Sequence, residues 1–172
     1  MNDNNPHAAV ALIITECASP SILLLRRAKN KDDPWSGQWA FPGGKREEGD
    51  TDLIDTSIRE TYEECGCLLS RDELTMTLPL ATAGNYSGHP VLVAPFLWKL
   101  KEKKELQLDT SEMEEARWQK IETFKDPVLH SDDLVIPEYP LIKFPYMMLD
   151  DVPLWGFTYR VLMDYLNEHD VS

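Results

Sequence analysis

Short runs of apolar and β-branched residues recur along most of this chain and predict a sheet-rich structure. The runs match strands in length and composition at residues 8–15, 21–26, 38–41, 74–81, 91–100 and 116–121. Between the second and third runs, residues 30–36 are rich in Asn, Asp, Pro and Ser, which predicts a turn. We therefore expect at least six strands.

The hydrophobic period changes in residues 51–65, where core-facing residues recur at helical spacing. The stripe predicted to face the core consists of Ile54, Ile58, Thr61, Tyr62 and Cys65. Asp50 or Thr51 is predicted to cap the start of this helix, and Gly66 to end it. This segment is the first helix of the chain.

A second helix is predicted near the C-terminus from residues that repeat the same spacing: Leu154, Thr158, Val161, Leu162 and Tyr165. The Pro-rich segment 127–153 before it is predicted to be a loop with one strand near residues 146–149. No repeat or flexible linker divides the chain. The element order predicts an α/β or α+β sandwich around a mixed sheet, forming a single domain of residues 1–172 with its core at about residues 9–166.

Composition and charge narrow the class of partner. The chain has 172 residues, of which 30 are acidic and 17 basic, giving a formal charge of -13. This charge repels a nucleic acid polymer but suits divalent cations. The apolar run 8–14 has only seven residues and no preceding Lys or Arg, so it is predicted to be neither a secretion signal nor a membrane span. Three cysteines do not make a disulfide framework. A cytoplasmic protein with no membrane partner is therefore expected.

The candidate chemistry lies in the stretch "FPGGKREEGDTDLIDTSIRETYEECG". Glu60, Glu63 and Glu64 fall on one side of the predicted helix, roughly 150° from the apolar stripe, and are expected to face away from the core. One interpretation is a solvated helical face. However, these glutamates repel one another, and Arg59 offsets only part of that repulsion. A bound cation would remove it, and the neighbouring Gly43–Gly44 pair allows a main-chain carbonyl to approach such an ion.

Residues 44–67 resemble the Nudix box, G-x5-E-x7-R-E-U-x-E-E-x-G-U with U apolar. The chain retains the residues Gly44, Arg59, Glu60, Glu63, Glu64 and Gly66. Three features depart from the pattern. Asp50 replaces the first Glu, and eight residues rather than seven separate it from Arg59. Thr61 occupies a position where the pattern has an apolar residue. The coenzyme A pyrophosphatase branch of the Nudix family has a similar Asp and spacing. We expect the extra residue to lie in the loop before the helix.

The resemblance to that branch extends over about residues 9–166. It includes the stretches "SGQWAFPGG", "HPVLVAPFLWKL" and "LWGFTYRVLMDYL". It implies the Nudix fold, an α/β/α sandwich around a mixed sheet. The branch also carries the signature L-L-T-x-R-S-x3-R-x3-G. This chain keeps Leu23, Leu24 and Arg27 but departs from it at Leu25, Ala28 and Asp32. Either Lys31 supplies the second positive charge or that contact is absent.

The chemistry of the acidic cluster and the resemblance together assign the candidate site. The predicted catalytic residues are Arg59, Glu60, Glu63 and Glu64. The predicted ligands of Mg²⁺ or Mn²⁺ are the Gly44 carbonyl, Glu60, Glu63 and Glu64. The predicted substrate-binding residues are Arg27, Lys31, Lys45 and Arg46. The base is expected to be Glu60 or a loop carboxylate, with the acidic run Glu112, Glu114 and Glu115 as a source.

Two further sets of residues leave alternatives open. Asp50 is expected either to contact metal through water or to cap the helix. Four aromatic residues are expected either to stack on an adenine or to fill the core: Trp35, Trp39, Tyr86 and Trp155.

The expected activity is hydrolysis of the diphosphate linkage in a small nucleoside diphosphate derivative. Coenzyme A or an acyl-CoA is the leading substrate, and ADP-ribose, a dinucleotide and a nucleoside triphosphate are the alternatives. A binding module that recognises a nucleotide without cleaving it is the alternative from a different class. Such a module is expected to lack a box carboxylate, whereas this chain has all three. The oligomeric state is left open, with a homodimer among the alternatives.

Overall fold

A mixed eight-stranded sheet forms the centre of the computed structural model, which describes residues 5–169. Its strands are β1 (Ala8–Thr15), β2 (Ser21–Arg27), β3 (Trp39–Ala40), β4 (Gly43–Lys45), β5 (Leu74–Thr77), β6 (Ala81–Ala83), β7 (Val91–Leu100) and β8 (Met113–Lys120). Strand β1 pairs in parallel with β7 and antiparallel with β2 and β4. This pairing brings the glycine strand β4 beside the first strand of the chain.

Each face of the central sheet is covered by a different layer. Helix α1 (Leu53–Cys65) packs on one face, and helix α2 (Gly156–Glu168) packs on the other. A second sheet of β9 (His130–Ile136), β10 (Tyr139–Leu149) and β11 (Val152–Trp155) joins the α2 layer. Alternation along β1 sends Leu12 to the α2 side and Ile13 to the α1 side. The predicted α/β/α sandwich around a mixed sheet is confirmed.

Strands β1 and β7 have the predicted bounds, but other segments differ. The predicted strand at 74–81 is two strands, β5 and β6, because Pro79 between them has no N–H to donate. The strand predicted near residues 146–149 lies within β10, but the loop predicted for the rest of the segment 127–153 is wrong, since β9 and β10 occupy most of it. Shifts in the β9–β10 register accommodate Pro140 and Pro145 inside a strand.

Helix α1 begins later than predicted. Its N-cap is Asp52, whose side chain accepts a hydrogen bond from the Asp55 N–H, so the predicted caps Asp50 and Thr51 are wrong. Gly66 ends the helix as predicted, with φ of 68° and its N–H bonded to the Tyr62 carbonyl at 2.8 Å. Helix α2 begins at Gly156, because the residues before it belong to β11.

The buried face of α1 is wider than the predicted apolar stripe and shifted from it. Thr61 and Cys65 are buried as predicted, but Tyr62 is 55% exposed and lies off the stripe. Ser57 and Glu64 are buried instead. The shift arises because β4 covers the acidic side of the helix. Within residues 5–169, no helix is both long and apolar enough to cross a membrane.

Candidate metal centre

The acidic side of α1 lies directly against the glycine pair of β4. The Gly43 N–H donates to Glu64 Oε1 at 2.8 Å, and a Cβ added to Gly44 would lie 2.4 Å from Glu60 Oε1. The prediction that all three glutamates face away from the core is therefore wrong. Glu64 is 2% exposed and the Glu60 side chain 16%, whereas the Glu63 side chain is 52% exposed.

Burial makes ionisation of these carboxyl groups costly. Burial raises the pKa of Glu64 to about 8, and the charges of Glu60 and Glu112 add to the rise. Burial also raises the pKa of Glu60, although its hydrogen bond from Arg59 acts in the opposite direction. A divalent cation placed among these groups would favour their ionised forms. The electrostatics of the cluster therefore match a cation site.

The Arg59 guanidinium links the glutamates to the loop before the helix. Its Nη1 donates to Glu60 Oε1 at 3.0 Å and to Glu63 Oε2 at 3.1 Å. Its Nε and Nη2 donate to the two oxygens of Asp50, each at 2.9 Å, and Nη2 also donates to the Lys45 carbonyl at 3.0 Å. This geometry lets Arg59 orient the carboxylates of Glu60 and Glu63.

Asp50 is a buried partner of Arg59 and is 7% exposed. It also accepts hydrogen bonds from the Glu47 N–H at 3.0 Å and the Thr56 hydroxyl at 2.9 Å. The hydrogen bonds from Arg59 hold the pKa of Asp50 well below its usual range. Glu60 reaches Gly44 while α1 begins only after residue 52, a geometry that leaves room for an extra residue in the loop before the helix.

Arg27 is the predicted substrate-binding residue whose charge acts on a glutamate of the cluster. Its positive charge favours the ionised form of Glu64 and lowers that pKa against the effect of burial. Its Nε donates to Asp33 at 2.6 Å. Within residues 5–169, its two terminal nitrogens have no protein hydrogen-bond partner. The fork of Arg27 is therefore available to an anionic ligand.

The other predicted substrate contacts have different surroundings. Lys31 is exposed in the turn after β2, and Lys45 is exposed at the end of β4. The Arg46 guanidinium instead donates to the carbonyls of Asp50 and Thr51, at 2.8–3.3 Å. Arg46 thus closes the loop before α1, which the sequence did not indicate.

Glu112 precedes β8, whereas Glu114 and Glu115 lie within it, and Glu112 is the member of this acidic run whose charge acts on the centre. The turn preceding it is bonded to the end of α1, since the Asp109 N–H donates to the Glu64 carbonyl at 3.0 Å. The charge of Glu112 raises the pKa of both Glu60 and Glu64. Glu114 pairs with Arg26 at 3.8 Å, and Glu115 bonds to Arg117. Sequence position alone did not separate these three glutamates.

The four aromatic residues with alternative roles divide between core and surface. Trp39 is 3% exposed and fills the core, with the Arg117 guanidinium 4.7 Å from its ring centroid. Trp155 is half-buried and packs on Phe144. Trp35 and Tyr86 are 40% and 51% exposed, so both side chains are partly accessible to a ligand, although the Tyr86 ring also packs against Phe144.

The donor set is suitable for a hard cation, but it is not preorganised. Within the described part of the chain, no three His, Cys, Asp or Glu side chains converge as a ready metal site. Arg59 Nη1 lies between Glu60 and Glu63 and occupies an oxygen of each. Glu64 and the backbone of Gly44 lie beside them. Three carboxylates next to a main-chain carbonyl fit Mg²⁺ or Mn²⁺, provided that the cation replaces this Arg59 contact.

Comparisons with known proteins define the class to which this fold and site belong. The NUDIX domain family model matches residues 5–139. A crystal structure of a MutT protein from Methanosarcina mazei Go1 has a TM-score of 0.63, with 19% identity, and the match covers 98% of this chain and 99% of that one. This chain belongs to the NUDIX domain family.

Two named relatives are more similar in sequence. An uncharacterized Nudix hydrolase, NudL, of Photorhabdus laumondii is 37% identical over 93 residues, which is 54% of this chain and 49% of that protein. The C. elegans Ap4A hydrolase in a binary complex is 26% identical, with a TM-score of 0.52, and the match covers 67% of this chain and 80% of that one. The chain spans half the length or less of the curated relatives it matches.

Alanine at each glycine of β4 is expected to cause a different defect. A Cβ at Gly43 would lie 2.3 Å from the Ala9 carbonyl oxygen, a backbone atom that cannot move away, so Gly43→Ala should destabilise the fold by about 1–3 kcal/mol. A Cβ at Gly44 would meet the end of the Glu60 side chain, which can move. Gly44→Ala should therefore keep the wild-type melting temperature but lower turnover by about 100-fold. Thermal melts and turnover assays of both variants check this pair, and equal defects in both measurements would contradict it.

Proposed function

We propose that this protein is a divalent-metal-dependent hydrolase that cleaves the diphosphate linkage of a nucleoside diphosphate derivative. The observation that carries the proposal is the contact between Glu60, Glu64 and the glycine strand, with Arg59 and Asp50 behind it. The NUDIX domain family acts on pyrophosphate bonds. Mg²⁺ or Mn²⁺ would neutralise the diphosphate and lower the pKa of the attacking water.

The residues of the chain have separate roles in this proposal. Glu60, Glu63 and Glu64 would coordinate the cation through their carboxylates, and the Gly44 carbonyl would be a fourth ligand. Arg59 keeps the carboxylates in place. Glu60 or Glu112 takes the proton from water, since both are carboxylates at this centre and Glu112 is exposed.

The terminal nitrogens of Arg27 receive a phosphate oxygen of the substrate, because a planar guanidinium fork matches phosphate geometry. Lys31 and Lys45 are exposed and contribute positive charge that favours an anionic substrate. Leu25, which stands where the coenzyme A signature has Thr, is fully buried, so its side chain is not exposed to a substrate. Free Cys17, Cys65 and Cys67 support a cytoplasmic location.

Coenzyme A or an acyl-CoA is the first substrate candidate, on the basis of the box spacing and the retained residues Leu23, Leu24 and Arg27. A dinucleotide is the second, because the C. elegans Ap4A hydrolase is similar in both sequence and fold. The two candidates share a nucleoside joined through phosphoanhydride bonds, so the same centre serves either.

A substrate panel with Mg²⁺ or Mn²⁺, analysed by mass spectrometry, tests the proposal. Coenzyme A, acyl-CoA, ADP-ribose, a dinucleotide and a nucleoside triphosphate are compared, with a chelator as control. Release of 3′,5′-ADP and 4′-phosphopantetheine is expected. Turnover of ADP-ribose or the dinucleotide without cleavage of coenzyme A would replace the first candidate. Nucleotide binding with no cleavage of any compound would overturn the hydrolase proposal in favour of a binding module. Size-exclusion chromatography would determine the oligomeric state, for which a homodimer is one alternative.

A further inference from the structure

A buried hydroxyl group supports the Asp50–Arg59 pair from inside the first turns of α1. Thr56 is completely buried, and its Oγ1 donates to Asp50 Oδ2 at 2.9 Å. The same hydroxyl lies 3.3 Å from the Asp52 carbonyl, where a threonine would bond if it served the helix alone. The shorter of the two hydrogen bonds therefore joins Thr56 to Asp50, a residue of the loop before the helix.

Asp50 is held by more donors than an ordinary surface carboxylate. Its Oδ1 accepts from Arg59 Nε, while Oδ2 accepts from Arg59 Nη2, the Glu47 N–H and the Thr56 hydroxyl. A carboxylate with one oxygen fixed by two groups besides the guanidinium cannot rotate freely. Thr56 and the Glu47 N–H therefore fix the plane in which Asp50 receives the Arg59 fork.

We propose that Thr56 is a positioning residue of the metal centre, acting through Asp50 and Arg59 on the carboxylates of Glu60 and Glu63. The guanidinium is planar and rigid, so the nitrogens held by Asp50 determine where Nη1 stands relative to those two carboxylates. The inference rests on the proposed function only in that these glutamates are taken as cation ligands.

The expected consequence of losing the hydroxyl is competition at the cation site. When Asp50 is free to turn, it holds the fork of Arg59 less firmly, and Arg59 pairs more fully with Glu60 and Glu63. A cation must then displace a stronger ion pair. Thr56 thus favours metal binding without contacting the metal or the substrate.

Thr56→Val removes the hydroxyl at nearly constant volume, and Thr56→Ser keeps it. Thr61→Val is the matched control, because Thr61 is also completely buried in α1 but its hydroxyl donates to the Ser57 carbonyl, away from Asp50. Mn²⁺ binding to each full-length protein is measured without substrate, by electron paramagnetic resonance of the free ion. Turnover number and KM are then measured at fixed metal concentration.

Thr56→Val should bind Mn²⁺ about tenfold more weakly than wild type. Turnover at subsaturating metal should fall with it, while KM for substrate changes little. Thr56→Ser should restore binding, and Thr61→Val should bind like wild type. Should Thr56→Val fail to fold, Thr56→Ala is measured in its place. Wild-type affinity in the hydroxyl-free variant, or an equal loss in Thr61→Val, would overturn the proposal. Wild type that binds Mn²⁺ but cleaves no diphosphate compound would overturn the proposed function alone.

Discussion

Glu64→Gln is expected to lower turnover by about 1,000-fold or more while the fold persists. The change removes the negative charge with which Glu64 would hold the cation, and metal charge stabilisation is worth several kcal/mol in a transition state. The amide oxygen of Gln can still accept the hydrogen bond that the Gly43 N–H now gives to Oε1. Steady-state kinetics with saturating Mg²⁺ would measure the loss.

The stability of this variant separates a chemical defect from a structural one. Because the pKa of Glu64 is about 8, the wild-type carboxyl group is mostly neutral at pH 7 in the metal-free fold. A neutral amide of the same shape should therefore leave the melting temperature of the metal-free protein equal or higher. Glu168→Gln, at an exposed position near the end of α2, is the control and should keep wild-type turnover. Activity of Glu64→Gln within tenfold of wild type would remove Glu64 from the catalytic set.

Apparent Mn²⁺ affinity is expected to rise about tenfold per pH unit up to pH 8 and then to level off. Glu64 titrates near 4.5 as an isolated group and near 8 in the metal-free fold, because it is buried. Between these values the folded protein holds a proton that a cation must displace, so binding releases about one proton at pH 6.5. Titration calorimetry in two buffers of different ionisation enthalpy counts that proton.

The same pKa fixes the sign of the stability change in the absence of metal. Since the folded-state pKa of Glu64 is raised, its contribution to stability is present below about pH 4.5 and is lost as the pH rises towards 8. The lowered pKa of Asp50 acts in the opposite direction and disfavours unfolding at neutral pH.

The control for the pH dependence of Mn²⁺ affinity is Glu64→Gln, which should bind Mn²⁺ weakly, with little dependence on pH between 6 and 8. A wild-type affinity that is flat between pH 6 and 8 would show that Glu64 is not a ligand.

The local pattern was sufficient for the central strands and for one end of α1. Strands β1 and β7 are mostly apolar runs that are largely buried on both faces of the sheet, so the ends of the apolar runs predicted the ends of the strands. Gly66 ended α1 as predicted because a left-handed residue was required there. In the segment 127–153, prolines suggested a loop, but pairing between β9 and β10 overrode that preference. The two strands are joined by residues 137–138 alone and pair as a hairpin, whose register shifts accommodate the prolines.

For the candidate site, the sequence by itself determined which chemical groups are present: three glutamates, an arginine and two glycines at a spacing that places them on one helix and one short segment. Only the tertiary structure decided that Glu64 is buried against Gly43, that Asp50 bonds to Arg59 and Thr56, and that Arg46 closes a loop. Helical periodicity fixes the direction of a side chain relative to its own helix. What covers that side, and therefore its pKa and its partners, depends on strands that come from elsewhere in the chain.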